Sequence, residues 1–101
     1  MFISLYIMNK KDKIKEYRKE LTGVFLKAGK NKDLMWEFLI DILTPAEFDE
    51  AALRWQIVKK LNKNETHREI AGELGLGIST VTRGSRELRN KNGGFARLLN
   101  K

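Results

Sequence analysis

Residues 74–85, Leu-Gly-Leu-Gly-Ile-Ser-Thr-Val-Thr-Arg-Gly-Ser, set two glycines between stretches of helical periodicity. No other feature restricts the fold of this chain as much. Upstream, Thr66-His67-Arg68-Glu69 is a capping box, with a hydroxyl and a carboxylate three residues apart, and it opens a short helix that ends at Leu74. Gly75 then supplies the left-handed residue after the helix. A second helix starts near Ile78 and reaches about Asn90. Two helices that cross steeply need a small residue where they touch, a left-handed turn and apolar residues that lock the pair. Ala71, Gly75 and Val81 meet these needs, and Ile70, Leu74, Leu76 and Ile78 supply the packing. The pattern is that of a helix-turn-helix. A phosphate-cradling loop is excluded. No Gly-Lys-Ser/Thr follows the glycines, Thr80 stands where a dinucleotide fingerprint needs its third glycine, and the residues before the loop read as helix rather than strand.

A plain helical hairpin would account for the packing residues but not for the opposite face. On a helical wheel of the second helix, Ile78, Val81, Ser85 and Leu88 share one side. Ser79, Arg83, Arg86 and Asn90 share the other, with Thr82 and Arg89 on one edge and Thr80 and Glu87 on the other. Short hydroxyls at the start and arginines further along suit a helix that enters the DNA major groove by its N-terminus. The charge agrees. The chain carries +7, yet residues 1–53 hold nine Lys/Arg against nine Asp/Glu, while residues 54–101 hold eleven against four. A neutral scaffold joined to a basic half points to a polyanionic partner.

The rest of the chain also reads as helix. From about Asn9 to Ala28, the residues Ile14, Tyr17, Leu21, Val24 and Ala28 recur at spacings of three and four beside Phe25, and Gly29 is the expected stop. This seam serves either as ordinary core or as a dimer contact, and the shortness of the chain favours the dimer. A second helix, Lys32 to Ile42, gathers Leu34, Met35, Phe38, Leu39, Ile42 and Leu43 on an apolar face. Thr44-Pro45-Ala46-Glu47 is another capping box, with proline at the first helical position. It opens a helix to about Leu61 that should bury Phe48, Ala51, Ala52, Trp55, Val58 and Leu61. Asn92-Gly93-Gly94 ends the regular pattern before a short tail, Phe95 to Asn100. The expected class is all-α, about six helices in one domain over 1–101. Its parts are a dimerisation scaffold (1–43), a central helix (44–61), the helix-turn-helix (66–90) and a tail helix (91–101).

The 101 residues include no cysteine and one histidine, His67, which removes disulfides and a zinc site. No run is long enough to span a membrane, and MFISLYIM is too short for a signal segment, so the expected location is cytoplasmic and Met8 is an alternative start. No nucleophile–base pair is visible, so an enzyme is not expected.

Residues 38–90 resemble the Trp repressor family of tryptophan-responsive regulators. The resemblance rests on Leu43-Thr44-Pro45-Ala46-Glu47, on Arg54 with Gln56-Ile57-Val58, on Arg68-Glu69 and above all on Glu73 to Ser85, where Gly-x-Gly-Ile-x-Thr-x-Thr-Arg-Gly-Ser is a specific string. It implies an intertwined helical homodimer that binds double-stranded DNA as a repressor, with L-tryptophan or a related amino acid as corepressor. By position it implies a ligand site at Leu43, Thr44, Arg54, Arg83, Gly84 and Glu87. The two arginines would sandwich the ligand ring, and Thr44 and the Leu43 carbonyl would hold its polar end. It implies DNA contacts at Arg68, Ile78, Ser79, Thr80 and Thr82, with Arg86 and Arg89 on phosphates or bases and His67 near a phosphate. Three departures stand out. Glu87 replaces a serine that faces the ligand ammonium, Asp41 takes a usually apolar position, and the loop at Asn62-Lys63-Asn64 is one residue shorter. Glu87 either receives the ammonium or turns inward to Arg83. The alternatives are a ligand-independent DNA-binding module, like the helical domain of bacterial replication initiators, and a protein-interaction bundle.

Overall fold

The computed structural model describes residues 9–100; MFISLYIM, and with it the choice of start codon, lies outside them. Among the described residues the secondary structure is entirely helical, in six segments. They fall into two compact units, one ending at Thr44 and the other beginning at Pro45.

The first unit holds α1 (Lys10–Ala28) and α2 (Lys32–Ile42). Each begins on an asparagine whose side chain accepts a first-turn N–H, Asn9 from Asp12 at 2.9 Å and Asn31 from Leu34 at 3.0 Å, which satisfies one of the helix's orphan donors. Gly29 ends α1, but not in the left-handed geometry its identity suggests. It is right-handed (φ −67°), and its N–H donates to the Phe25 carbonyl at 2.8 Å. A Cβ there would sit 3.2 Å from the same carbonyl oxygen, so closeness of the turn, not φ, favours glycine. Phe25 and Phe38 meet edge-on, with centroids 5.1 Å apart, and join the two helices. Little else of the expected seam is covered. Ala28 is buried, whereas Ile14, Leu21 and Val24 are exposed and Tyr17 is 60% exposed. Leu26 at 71% and Trp36 at 58% are more open still.

The second unit contains α3 (Pro45–Asn62), α4 (His67–Leu74), α5 (Ile78–Arg89) and α6 (Gly94–Leu99). The turn after α3 uses Asn64 in the left-handed region (φ 65°), which asparagine tolerates better than most side chains. Thr66 caps α4 by accepting from the Glu69 N–H at 3.1 Å. The Glu69 carboxylate returns to the Thr66 hydroxyl at 3.0 Å rather than to its N–H, a variation on the expected box. Gly75 is left-handed as expected (φ 66°, ψ 36°).

The core is Ile57, Ile70, Ala71 and Val81, flanked by Leu61, Leu74 and Leu76. All the expected lock residues of the helix-turn-helix are in it except Ile78, which is 52% exposed. Ile78 is the first residue of α5 and lies outside that core. The face of α3 also needs correction. Val58 is buried, but Ala51 and Ala52 are exposed, and Ile57 joins Val58 inside. The cause is Gly84. A Cβ built on it would lie 2.7 Å from Ile57 Cγ2, so α5 approaches α3 through a gap that only glycine leaves open. Lys60 of α3 pairs with Glu73 of α4 and lies 3.8 Å from Glu65 in the intervening loop.

Two stability measurements follow from these contacts. Gly84→Ala should cost about 1–3 kcal/mol in urea unfolding, because a β-branched neighbour must move. In an Ile57→Ala background the same change should cost under about 0.5 kcal/mol; equal costs in both backgrounds would remove the steric explanation. The ion pair gives a pH signature. The hydrogen bond from Lys60 holds the Glu73 carboxyl below its ordinary 4.5, and the hydrogen bond to Glu73 holds the Lys60 ammonium above its ordinary 10.5. The carboxylate's contribution is therefore present above 4.5 and lost as pH falls through the lowered value, while the lysine's is present below 10.5 and lost as pH rises through the raised one. Lys60→Met should lower the urea midpoint at neutral pH, and its gap to the unsubstituted protein should close in acid; a gap that persists there would assign the effect to packing of the lysine stem.

Candidate nucleic-acid interface and adjoining cleft

One side of α5 is committed to the core and the other is open. Val81 and Gly84 are buried and Ser85 and Leu88 half-buried, whereas Ile78, Ser79, Thr80, Arg83, Arg86 and Arg89 are exposed. Gly77 precedes the helix without any side-chain cap, so the positive end of the helix dipole is not masked by a side chain. Arg86 and Arg89 lie in the last turn. Arg68, in the first turn of α4, is exposed as well.

Thr82 and His67 are placed differently from the expectation. Thr82 is half-buried, and its hydroxyl donates to the Ile78 carbonyl at 3.0 Å. Its proton is therefore committed within the helix, and it can offer a base only a lone pair or its methyl group. His67 Nδ1 lies 3.4 Å from the same hydroxyl. The histidine is half-buried against α5.

On the flank of α5 lies a cleft of about 620 Å³. Its walls are Glu50, Leu53, Arg54 and Ile57 from α3, Thr80, Arg83, Gly84 and Glu87 from α5, Leu76 from the turn and Phe95 from α6. Each long helix contributes residues at positions i, i+3, i+4 and i+7, which is one face of a helix. The structure thus brings together four of the six expected ligand residues, Arg54, Arg83, Gly84 and Glu87. Leu43 and Thr44 belong to the other unit and are not part of this lining. Thr80 is in the cleft wall as well as on the exposed part of α5, so it is shared by the two surfaces.

Glu50, Leu53 and Phe95 were not expected here. The spacing of Glu50, Leu53, Arg54 and Ile57 carries the signal, but charged residues at two of the four positions hide it from a search for apolar periodicity. Phe95 follows two glycines, and nothing local says where it packs. In the structure it meets Trp55 with centroids 6.3 Å apart, while Ala96 is buried. Chemically, the cleft offers two guanidiniums, two carboxylates and an apolar lining. Among the described residues there is no cluster of His, Cys, Asp and Glu that would hold a metal ion, and no helix is long and apolar enough to cross a membrane.

Comparison with known proteins covers most of the chain. Residues 19–101 match the family model described as Trp repressor protein. A Trp operon repressor homolog of Actinobacillus succinogenes is 40% identical over 86 residues, 84% of this chain and 80% of that protein. A homolog of the same description from Vibrio campbellii is 43% identical over 51 residues, which is 50% of this chain and only about half (51%) of that relative's length. One from Haemophilus influenzae is 38% identical over 71 residues, 69% of this chain and 70% of that protein.

Proposed function

The chain belongs to the Trp repressor family, whose members are regulators rather than enzymes, and from that premise we propose that it is a sequence-specific DNA-binding transcriptional repressor, working in the cytoplasm as a homodimer with L-tryptophan or a related amino acid as corepressor. The observation that carries the DNA reading is the division of α5. Its buried side fixes it to α3 and α4, and its outer side is polar, basic and open at the N-terminal end. Ile78, Ser79 and Thr80 stand where a helix entering the major groove meets base edges, and Arg68, Arg86 and Arg89 serve the phosphates.

The corepressor reading rests on the cleft. A ligand held between Arg54 and Arg83 touches α3 and α5 at once, and so favours one tilt of α5 over others. Guanidinium planes stack on aromatic rings and neutralise a carboxylate, which suits an aromatic amino acid. An effector must bind the DNA-competent state better than the alternative to shift the population, and contact with both helices provides that difference. The homodimer rests on the apolar surface of α1 and α2. A second copy of the chain presents the same seam, and burying it would remove Ile14, Tyr17, Leu21 and Val24 from water.

Light scattering at micromolar concentration should return twice the 11.7 kDa chain mass; a monomer there would remove the dimer. For DNA, the site preferred by the protein can be selected from random duplexes in the presence of L-tryptophan and then titrated. Affinity should fall by about 10³-fold or more between about 50 and 200 mM salt, as several phosphate contacts per protomer imply. Ser79→Ala and Thr80→Ala should relax base preference, whereas Arg86→Ala should weaken all duplexes alike and flatten the salt slope. Unchanged preference in both alanine variants would take the reading role from α5. Saturating L-tryptophan should raise affinity by roughly 5- to 150-fold, the span of a coupling of about 1–3 kcal/mol. Full DNA affinity that tryptophan leaves unmoved would leave a ligand-independent module.

A further inference from the structure

His67 and Thr82 belong to the two helices of the helix-turn-helix, and their side chains meet. The Thr82 hydroxyl oxygen is 3.0 Å from the Ile78 carbonyl oxygen and 3.4 Å from His67 Nδ1. A hydroxyl has one proton and two lone pairs. The carbonyl can only accept, and it is the nearer of the two, so the hydroxyl proton goes there. Nδ1 is then the donor: the ring carries a proton on Nδ1 and gives it to a lone pair of Thr82. In the neutral ring Nε2 is left with a lone pair and no proton, and a phosphate oxygen has no proton to offer it. The neutral ring is thus not a phosphate ligand, the place expected for His67 from the sequence. Both side chains are half-buried, which limits the competition of water for the bond between them.

Threonine in a helix is shared between two χ1 rotamers, because its oxygen can bond a carbonyl one turn earlier. That bond alone leaves the other rotamer populated. A second bond, from a ring carried by the neighbouring helix, is made only where the oxygen now stands, so it favours one rotamer over the other. We infer that His67 is a positioning residue for base reading: it holds Thr82 in a single rotamer and itself touches neither base nor phosphate. A threonine that turns offers its hydroxyl and its methyl group by turns, and so accepts more than one base. Held by His67 and the Ile78 carbonyl, Thr82 has one lone pair and its methyl group left for a base edge, and a thymine methyl is the apolar partner such a group meets in the major groove. Discrimination at that base pair therefore depends on a side chain of α4 as well as on α5.

This inference rests on the reading of α5 as the helix that meets base edges, and one set of variants separates the two. The preferred duplex and its single-base variants are titrated with the full chain in saturating L-tryptophan, and discrimination is the ratio of their affinities. Thr82→Val, which keeps the branched shape and removes the hydroxyl, identifies the base pair that Thr82 reads. At that pair His67→Ala should lower discrimination by about two- to fivefold, the lower part of the range for one hydrogen bond, since 3.4 Å is long. Affinity for unrelated duplexes and its salt slope should stay as they were. His67→Asn, whose amide nitrogen stands about where Nδ1 does, should restore discrimination, and His67→Gln, whose amide nitrogen stands about where Nε2 does, should not. In a Thr82→Val background His67→Ala should change nothing further. The comparison of Asn with Gln decides the matter even where His67→Ala does not fold. Rescue by Gln rather than Asn, with a salt slope shallower by about 0.9 in His67→Ala, would make the ring a phosphate ligand and overturn the inference. Discrimination that Thr82→Val reduces and His67→Ala leaves unchanged would also overturn it. Base preference unmoved by Ser79→Ala, Thr80→Ala and Thr82→Val would remove the reading role of α5 itself, and this inference with it.

Discussion

The approach of α5 to α3 at Gly84 and Ile57 is the contact on which the second unit depends. Helices that meet without an intervening Cβ can bring their backbones together, and the residues on either side of the contact then divide sharply by role. Val81, one turn before Gly84, enters the core with Ile57, Ile70 and Ala71. Arg83 and Glu87, on the same helix, are left beside the gap where the two helices separate. One missing methyl group therefore both closes the core and sets the walls of the cleft. This is why Gly84 bears on function as well as on packing.

The same contact determines how α5 can face DNA. Burial of Val81 and Gly84 fixes the rotation of the helix about its axis, and that rotation sends Ser79, Arg86 and Arg89 outward. Thr82 shows how fine the division is. It lies between the two faces, and its hydroxyl is taken up by the Ile78 carbonyl and the neighbourhood of His67. Electrostatics is layered on this geometry rather than causing it. The excess of positive charge belongs to the second half of the chain, and Arg68, Arg86 and Arg89 hold part of it on the exposed sides of α4 and α5. Lys60 does something else: it holds Glu73 and Glu65, and so ties α4 and its preceding loop to the end of α3.

Thr80 belongs to both of the proposed surfaces. It sits on the exposed side of α5 and also in the cleft wall beside Arg83. A molecule filling the cleft thus lies within one side chain of the surface assigned to DNA. On the proposed reading, a small ligand in such a place would need no long path to alter what α5 presents.

Much of this protein is determined locally and was readable in the chain. The cap at Thr66, the helix start at Pro45, the left-handed Gly75 and helical periodicity depend on residues within a few positions of one another, so the helices and the turn followed from sequence with errors of a residue or so at their ends. The lock residues Ile70, Ala71, Leu74, Leu76 and Val81 followed as well, because the tight turn leaves them few partners. The misplacements share a different cause. Ile78 looked like core and is exposed, Ala51 and Ala52 looked buried and are exposed, and Ile57 was overlooked although it is nearly fully buried. Ile78 is the first residue of α5, and the burial of Ile57 depends on which face of α3 another helix meets, where it lies against Gly84, twenty-seven residues further along the chain. Glu50 and Phe95 entered the cleft by the same route: one sits on the α3 wall, and the other is carried there by α6. Hydrogen bonds and backbone sterics act over one or two turns, and a sequence displays them directly. Which side chains share a cavity is settled by packing between distant segments, where a single absent Cβ selects the face, and only the tertiary structure decides it.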